Sequence, residues 1–284
     1  GRRLQIQDGL AERQQKLGVV LHLTGCPING SHHVLRTYAR LGVRAIHPFI
    51  REDTFGGDWS RHGNQGLIKA GRALLREMED LNVIMDTAHA TDKTFSDVLR
   101  AARKPIIDSH VGCRSILNSK RNRTDRQLEA IGEAGGVVGV HFDSKLLAPV
   151  EEVDRTAMMK KLQRDVAEMR RKYTDPYVFM AKRYDPYRWS RILGGAIDDG
   201  IEPARAKLED AVDHIDHMAQ VAGAEHVCIG SDYALGTICG GVETADRLPN
   251  LAAALRDRGY RGAALSNILY GNVRRILMSA LPSA

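Results

Sequence analysis

Short apolar runs alternate along this chain with longer stretches in which apolar residues recur every three or four positions. The runs "GVVLHLTG", "VRAIHPF", "NVIMDTAH", "KPIIDSH", "GGVVGVHF" and "EHVCIGSD" have strand length and strand composition. Between them, "SHHVLRTYARLG", "GLIKAGRALLREMEDLN", "DKTFSDVLRAAR", "TDRQLEAIGEAG" and "LEDAVDHIDHMAQVAGA" show helical spacing. Asp92 and Thr124 stand where helix caps belong. Alternation of this kind predicts an α/β fold of parallel strands with helices outside. The length of 284 residues suits one α/β-barrel domain spanning 1–284.

Residues 150–200 depart from the alternation. They are basic and tyrosine-rich, carry two "DPY" turns, and read as a helical excursion between barrel strands. An exposed helix with a packed underside is the plain account of them, and a partner surface or site cover the other. The net charge of +6 is spread out, and aromatic residues make up only 5% of the chain. That argues against a nucleic-acid stripe. No apolar run approaches membrane-spanning length. The opening residues lack the apolar core of a signal peptide and read as an amphipathic helix already under way, so a cytoplasmic protein is expected. Cys26, Cys113, Cys228 and Cys239 form neither a CxxC pair nor a disulfide framework, which suits reduced thiols.

Polar residues gather at the C-terminal ends of the apolar runs: Thr24, His47, Asp86 with His89, Asp108 with His110, His141, and Asp232. In a barrel those ends converge on one mouth, where function resides. One helix separates His89 from His110, so their strand ends are neighbours. Neutral imidazoles held that way suit zinc or a similar ion, with a distant aspartate as ligand or base. The competing account of each histidine is a hydrogen-bonded structural residue.

Three stretches carry a resemblance: "MDTAHATDKTFSDVLRAARKPIIDSHVGCRSILNSKRNRTDRQLEAIGEAGGVVGVHF", "LEDAVDHIDHMAQVAGAEHVCIGSDYALG" and "ILYGNVRRIL". They resemble the membrane dipeptidase (renal dipeptidase) family of zinc metallopeptidases, from about Leu17 to Leu277 and least across 145–200. The resemblance implies a TIM-type (β/α)8 barrel of the metal-dependent hydrolase kind, a two-zinc centre, a dipeptide substrate and a homodimer. It assigns His89 and His110 to one zinc. Asp232 it places at the other metal to handle a water's proton, and Arg121 in "KRN" it gives to the substrate carboxylate. Without the resemblance, Arg121 reads as a surface arginine in a basic loop.

The chain also departs from the family pattern. The HxD pair of the family's first strand has no equivalent, so either this sequence lacks the protein's natural beginning or the strand is lost. The "HID" at His214–Asp216 lies in a helix and is discounted. Thr24 stands where the metal-bridging glutamate belongs, and two close dications repel without an anionic bridge. Ile50 replaces a substrate-facing histidine, with His47 out of register. The expectation is therefore at most one zinc on His89 and His110, or none. His22, one pleat below Thr24, and His141 are candidate third ligands, each more often a packed residue. Cys26 and Cys113 near strand ends read as inert. The function expected is a dipeptidase-like metal-dependent hydrolase. The alternatives are a metal-free binding or scaffold protein, or metal-free acid–base chemistry in the barrel pocket.

Overall fold

The structure is a computed structural model that describes residues 18–28, 30–50, 55–61, 63–150, 156–175, 178, 204–233 and 237–280. The expected N-terminal helix and most of the second half of the excursion lie outside the described residues. The chain divides into two compact units, 1–148 with 206–284, and 149–205. In the smaller unit the expected helix is present as Thr156–Lys172.

The larger unit is α/β. Its six strands are β1 (Leu21–Thr24), β2 (Val43–His47), β3 (Ile84–Met85), β4 (Ile107–Val111), β5 (Val137–Val140) and β6 (Val227–Ile229). All neighbouring pairs are parallel, in two three-stranded sheets ordered β1-β2-β3 and β4-β5-β6. A parallel bridge from Asp86 to Ile107 links β3 to β4. Among the described residues no ladder closes β6 onto β1. Each of the six expected apolar runs matches one of these strands, with β4 running one residue past its run to Val111.

Helices follow where the 3.6-residue period placed them: α1 (His32–Arg40), α2 (Lys69–Asp80), α3 (Asp92–Ala101), α4 (Asp125–Glu133) and, after β5, Leu208–Ala222. Thr124 caps α4 in a full capping box with Gln127. The cap of α3 is Thr91 and not Asp92, because the Thr91 hydroxyl accepts from the backbone N–H of Thr94. Asp92 instead opens the first turn and pairs with Arg114 through both carboxylate oxygens.

Period-two alternation sorts each strand into two faces. Ala45, Ile84, Ile107, Val137 and Cys228, one from each of β2 to β6, form a buried cluster with Ile276 and Ala280 of the C-terminal segment. Two residues further along the same strands the layer turns polar or empty: His47, Asp86, Ser109, Gly139 and Gly230. Apolar packing thus closes one end of the inner face, and the other end is left for chemistry.

The register of β4 holds the main irregularity. Asp108 to Val111 on β4 spans three steps opposite the two from Val138 to Val140 on β5, so β4 carries one extra residue. Such a bulge re-aims a side chain, and here Ser109 and His110, consecutive in sequence, both line the same cavity. The Ser109 carbonyl pushes toward β5 and β6. A Cβ on Gly139 would stand 2.0 Å from its oxygen, and one on Gly230 1.9 Å. Glycine is required at both positions.

On the other face, Asp108 meets Arg123. The basic loop is buried: Arg121, Asn122 and Arg123 are all almost inaccessible. Arg123 donates through Nε to Asp108 Oδ2 at 2.5 Å, through Nη1 to Ala90 O at 3.0 Å and through Nη2 to Thr87 O at 2.8 Å. Its guanidinium lies 4.6 Å over the Phe95 ring. Asp108, expected at the mouth with His110, is therefore a structural partner on the helix side.

Arg123→Met keeps most of the packing volume but leaves Asp108 as an uncompensated buried charge. We expect it to cost about 3–5 kcal/mol of unfolding free energy, read from urea denaturation. A loss below about 1 kcal/mol would mean that the pair behaves like a surface ion pair.

Candidate metal centre

Five histidines and two carboxylates meet at the C-terminal strand ends. They are His22 and His47 from β1 and β2, His89 after β3, His110 on β4 and His141 after β5, with Asp86 between His47 and His89 and Asp232 after β6. His22, Thr24, His47, Ser109, His110 and Asp232 line a cavity of about 320 Å³ whose floor includes Ile107, Cys228 and Val273.

His89 and His110 come together as the strand spacing implied. Their Nε2 atoms are 3.2 Å apart. Two nitrogens bound at 2.0–2.1 Å to one tetrahedral zinc would stand about 3.3 Å apart, so the separation fits one shared ion. His110 Nε2 is also 3.9 Å from Asp232 Oδ2.

The tautomer of His110 is set by its other nitrogen. Ser109 Oγ donates to Asp86 Oδ2 at 2.5 Å, and its remaining lone pair faces His110 Nδ1 at 2.6 Å. The proton of a neutral His110 therefore sits on Nδ1, and Nε2 presents a lone pair, the arrangement seen for metal-binding imidazoles. Burial, then the positive charge of Arg121, holds His110 well below its ordinary pKa. The same two causes bring His89 down to about 2. Both rings are neutral at pH 7, and no proton competes for their lone pairs.

His141 is wired the other way. Its Nδ1 accepts the backbone N–H of Asp143 at 2.7 Å, so Nε2 carries the proton and donates to Asp232 Oδ2 at 3.4 Å. His110, His141 and Asp232 can together surround an ion, since their ligand atoms lie within 4.8 Å of one another. The hydrogen bonding as it stands makes His141 the residue that orients Asp232. Burial pushes the Asp232 carboxyl up, but the His141 hydrogen bond and the nearby positive charges bring it net down, so it is ionised.

A second knot surrounds Asp86, which is fully buried. Its Oδ1 accepts from the backbone N–H groups of Ala88 at 2.9 Å and Ser109 at 3.0 Å. Its Oδ2 faces Ser109 Oγ, His22 Nε2 at 3.1 Å and His47 Nδ1 at 3.8 Å. Sequence reading had picked out His22, His47 and Asp86 one by one as strand residues. What it lacked was the register that sets His22 opposite Ala45, whose methyl leaves His22 room to reach Asp86 two strands away.

Arg121 is 3% exposed and is no surface arginine. Its Nη2 donates to His110 O at 2.7 Å, while Nη1 is buried with no hydrogen-bond partner. Burial, against the attraction of Asp108, lowers its pKa to about 10, so it stays charged. Ile50 and Thr24 occupy the strand ends as expected and bring no ligand. His214 is buried in its helix, accepting from Cys113 N and donating to Leu147 O, and belongs to packing. Burial raises the thiols of Cys26 and Cys113 to about 12, which leaves them unreactive.

Two site residues have left-handed backbones, His89 at φ 66° and Asp232 at φ 49°. Strain of this kind persists only where surroundings enforce it. For His89 those surroundings are the Arg123 bonds to Thr87 O and Ala90 O on either side, and the Trp59 N–H on His89 O at 2.9 Å.

Comparison with known proteins gives a consistent picture. The sequence model of the membrane dipeptidase family (peptidase family M19) matches residues 6–281. A Klebsiella pneumoniae protein encoded in the pqqA 5′ region, itself uncharacterized, is 26% identical over 269 residues, covering 92% of this chain and 81% of its own length. A Schizosaccharomyces pombe protein described as an uncharacterized dipeptidase is 26% identical over 254 residues, covering 88% of this chain and 49% of its own. The chain thus spans about half the length of that relative. Among solved structures, a Rhodobacter sphaeroides metallopeptidase liganded with a phosphinate mimic of the dipeptide L-Ala-D-Ala superposes with a TM-score of 0.69. It is 26% identical and is matched over 92% of this chain and 63% of its own. The probable dipeptidase PvdM of Pseudomonas aeruginosa shares the fold at a TM-score of 0.73 and 23% identity, over 95% and 71% of the two chains.

The strain at His89 is testable apart from any activity. His89→Gly should be more stable than His89→Ala by about 1 kcal/mol, because only glycine takes this backbone without penalty. Thermal unfolding of the two variants measures the difference; equal stabilities would contradict an enforced left-handed turn.

Proposed function

Because the chain belongs to the membrane dipeptidase family, we propose that it is a metal-dependent hydrolase acting on the amide bond of a small carboxylate-bearing substrate such as a dipeptide. The fold is proposed to be an α/β barrel of the metal-dependent hydrolase kind, and the protein to act as a homodimer. The observation that carries the catalytic reading is the 3.2 Å approach of His89 Nε2 to His110 Nε2 beside Asp232.

His89 and His110 would hold one zinc ion through these nitrogens. Bound there, zinc supplies Lewis acidity toward the scissile carbonyl and a lowered pKa for water. Ser109 and Asp86 keep the His110 lone pair turned toward that ion. Asp232 takes up the proton of the attacking water; both of its histidine contacts fall on Oδ2, and His141 holds that oxygen in place. The unpartnered Nη1 of Arg121 receives the substrate carboxylate. That nitrogen is sealed from solvent, so the carboxylate has to open a path to it. Thr24 offers no charge to bridge a second ion at the position where the family resemblance places a glutamate.

The test is hydrolysis of a panel of dipeptides by zinc-loaded and chelator-treated protein. Turnover should appear with zinc and disappear on its removal. Asp232→Asn should lower kcat by about 10²–10⁴-fold, and Arg121→Lys should mainly raise KM. A zinc-loaded protein that cleaves no dipeptide would overturn the reading, and an unimpaired Asp232→Asn would remove Asp232 from it.

A further inference from the structure

We propose that His22, His47 and Asp86 form a second site for a divalent transition-metal ion such as zinc, with its own carboxylate and separate from the pair His89 and His110. None of these three residues belongs to the ligand set that the family resemblance assigns, and the proposal does not depend on the hydrolytic reading.

The donors are already gathered. One nitrogen from each imidazole and one oxygen of Asp86 lie within 4.8 Å of one another. Two imidazoles and a carboxylate are a donor set that binds zinc and leaves a position open. The open side exists, because His22 and His47 line the cavity together with Thr24 and Ser109.

Three features favour a ligand over a merely structural cluster. Asp86 is fully buried, yet no lysine or arginine makes an ion pair with it among the described residues; its salt-bridge partners are His22 and His47 alone. A buried carboxylate calls for a cation. Second, His47 is 3% exposed, and its Nδ1 stands 3.8 Å from Asp86 Oδ2, too far for a hydrogen bond and near enough for both atoms to reach one ion. Third, Asp86 is braced as a ligand would be. Two backbone N–H groups fix Oδ1 and Ser109 fixes one side of Oδ2, so the remaining direction of Oδ2 points at the two histidines.

The ion takes the place of the proton that His22 Nε2 now shares with Asp86 Oδ2. Binding therefore releases one proton where the His22 ring is charged; where the ring is neutral its proton moves to Nδ1 and none is released. The His47 and His89 rings stack with centroids 5.2 Å apart, so the two sites are neighbours. Repulsion between dications makes the second ion bind more weakly than the first.

Metal counting on the full chain tests this. The protein is stripped with chelator, titrated with Zn²⁺ to saturation, and its bound zinc measured per chain by elemental analysis. The wild type should take up two equivalents in two steps of unequal affinity. His22→Ala, on the edge strand where loss of the side chain is best tolerated, should keep one, and His110→Ala should keep the other. His22→Gln provides a second variant with its fold checked by circular dichroism. One equivalent in both the wild type and His22→Ala, lost in His110→Ala, would overturn the second site and leave the His89–His110 site standing. Zero equivalents in the wild type would overturn both. Because the wild-type count alone decides between one and two, a variant that fails to fold does not rescue the idea.

Discussion

The guanidinium of Arg123 is the constraint on which the site depends. It is 1% exposed, so its charge has no water to turn to. The structure satisfies it with Asp108, the carbonyls of Thr87 and Ala90, and the face of Phe95. A buried pair of this sort is expensive to assemble and more expensive to break. What it secures is geometric. Thr87 and Ala90 flank the turn that swings His89 into a left-handed backbone, and Asp108 is the last regular residue of β4 before the bulge that brings His110 inward. One side chain on the helix side of the sheet therefore fixes both imidazoles on the other side. The His89–His110 approach is a consequence of packing that is complete before any ion arrives.

The bulge makes its own demands. An extended strand cannot show two consecutive side chains to one cavity, yet here Ser109 meets His110 Nδ1 while His110 Nε2 faces His89. The extra residue resolves that conflict, and Gly139 and Gly230 make room for the displaced Ser109 carbonyl. Gly230 also lines the cavity, and a methyl on either glycine would meet the Ser109 carbonyl, push the strand back toward regular register and turn His110 away from His89.

Much of this was legible in the sequence and some was not, for reasons that differ by residue. The alternation of apolar runs and helical stretches marked all six strands; burial leaves β2 to β6 few other compositions, and β1 keeps the pattern although it is mostly exposed. His89 and His110 could be paired because strand ends separated by one helix are neighbours in any parallel sheet. Thr124 was readable as a cap from its local spacing, whereas Asp92 was one residue off because two polar residues in a row leave the choice to backbone geometry. Without the family resemblance Arg121 reads as a surface arginine, and Asn122 and Arg123 drew no reading, since nothing local reveals that these side chains will find buried carbonyls and a carboxylate from distant segments. The cluster of His22, His47 and Asp86 depends on register across three strands, with a shift between Leu21 and His22 that leaves no trace in composition.

Charge bookkeeping explains why imidazoles suit this mouth. The charged side chains acting on His110 are Arg121, Asp86 and Asp232, one positive and two negative. With His47, His89 and His110 neutral, Arg121, Asp86 and Asp232 leave a deficit of one positive charge; His22 is the ring that can fill it, since against the effect of burial Asp86 raises its pKa. Protonating a ring to fill the deficit is disfavoured at His47, His89 and His110 by burial first and by Arg121 next or after it. A dication coordinated by neutral nitrogens fills the deficit without that penalty and turns the local sum to one positive charge. A substrate carboxylate on Arg121, as proposed, would bring the sum to zero, so ion and substrate would each improve the electrostatics for the other. Replacing Thr24 by a carboxylate would start the site one charge lower and shift the balance toward two tightly held ions. The hydroxyl present instead adds no charge, so in the proposed reading one ion would rest on His89 and His110 and a second would rely on Asp86.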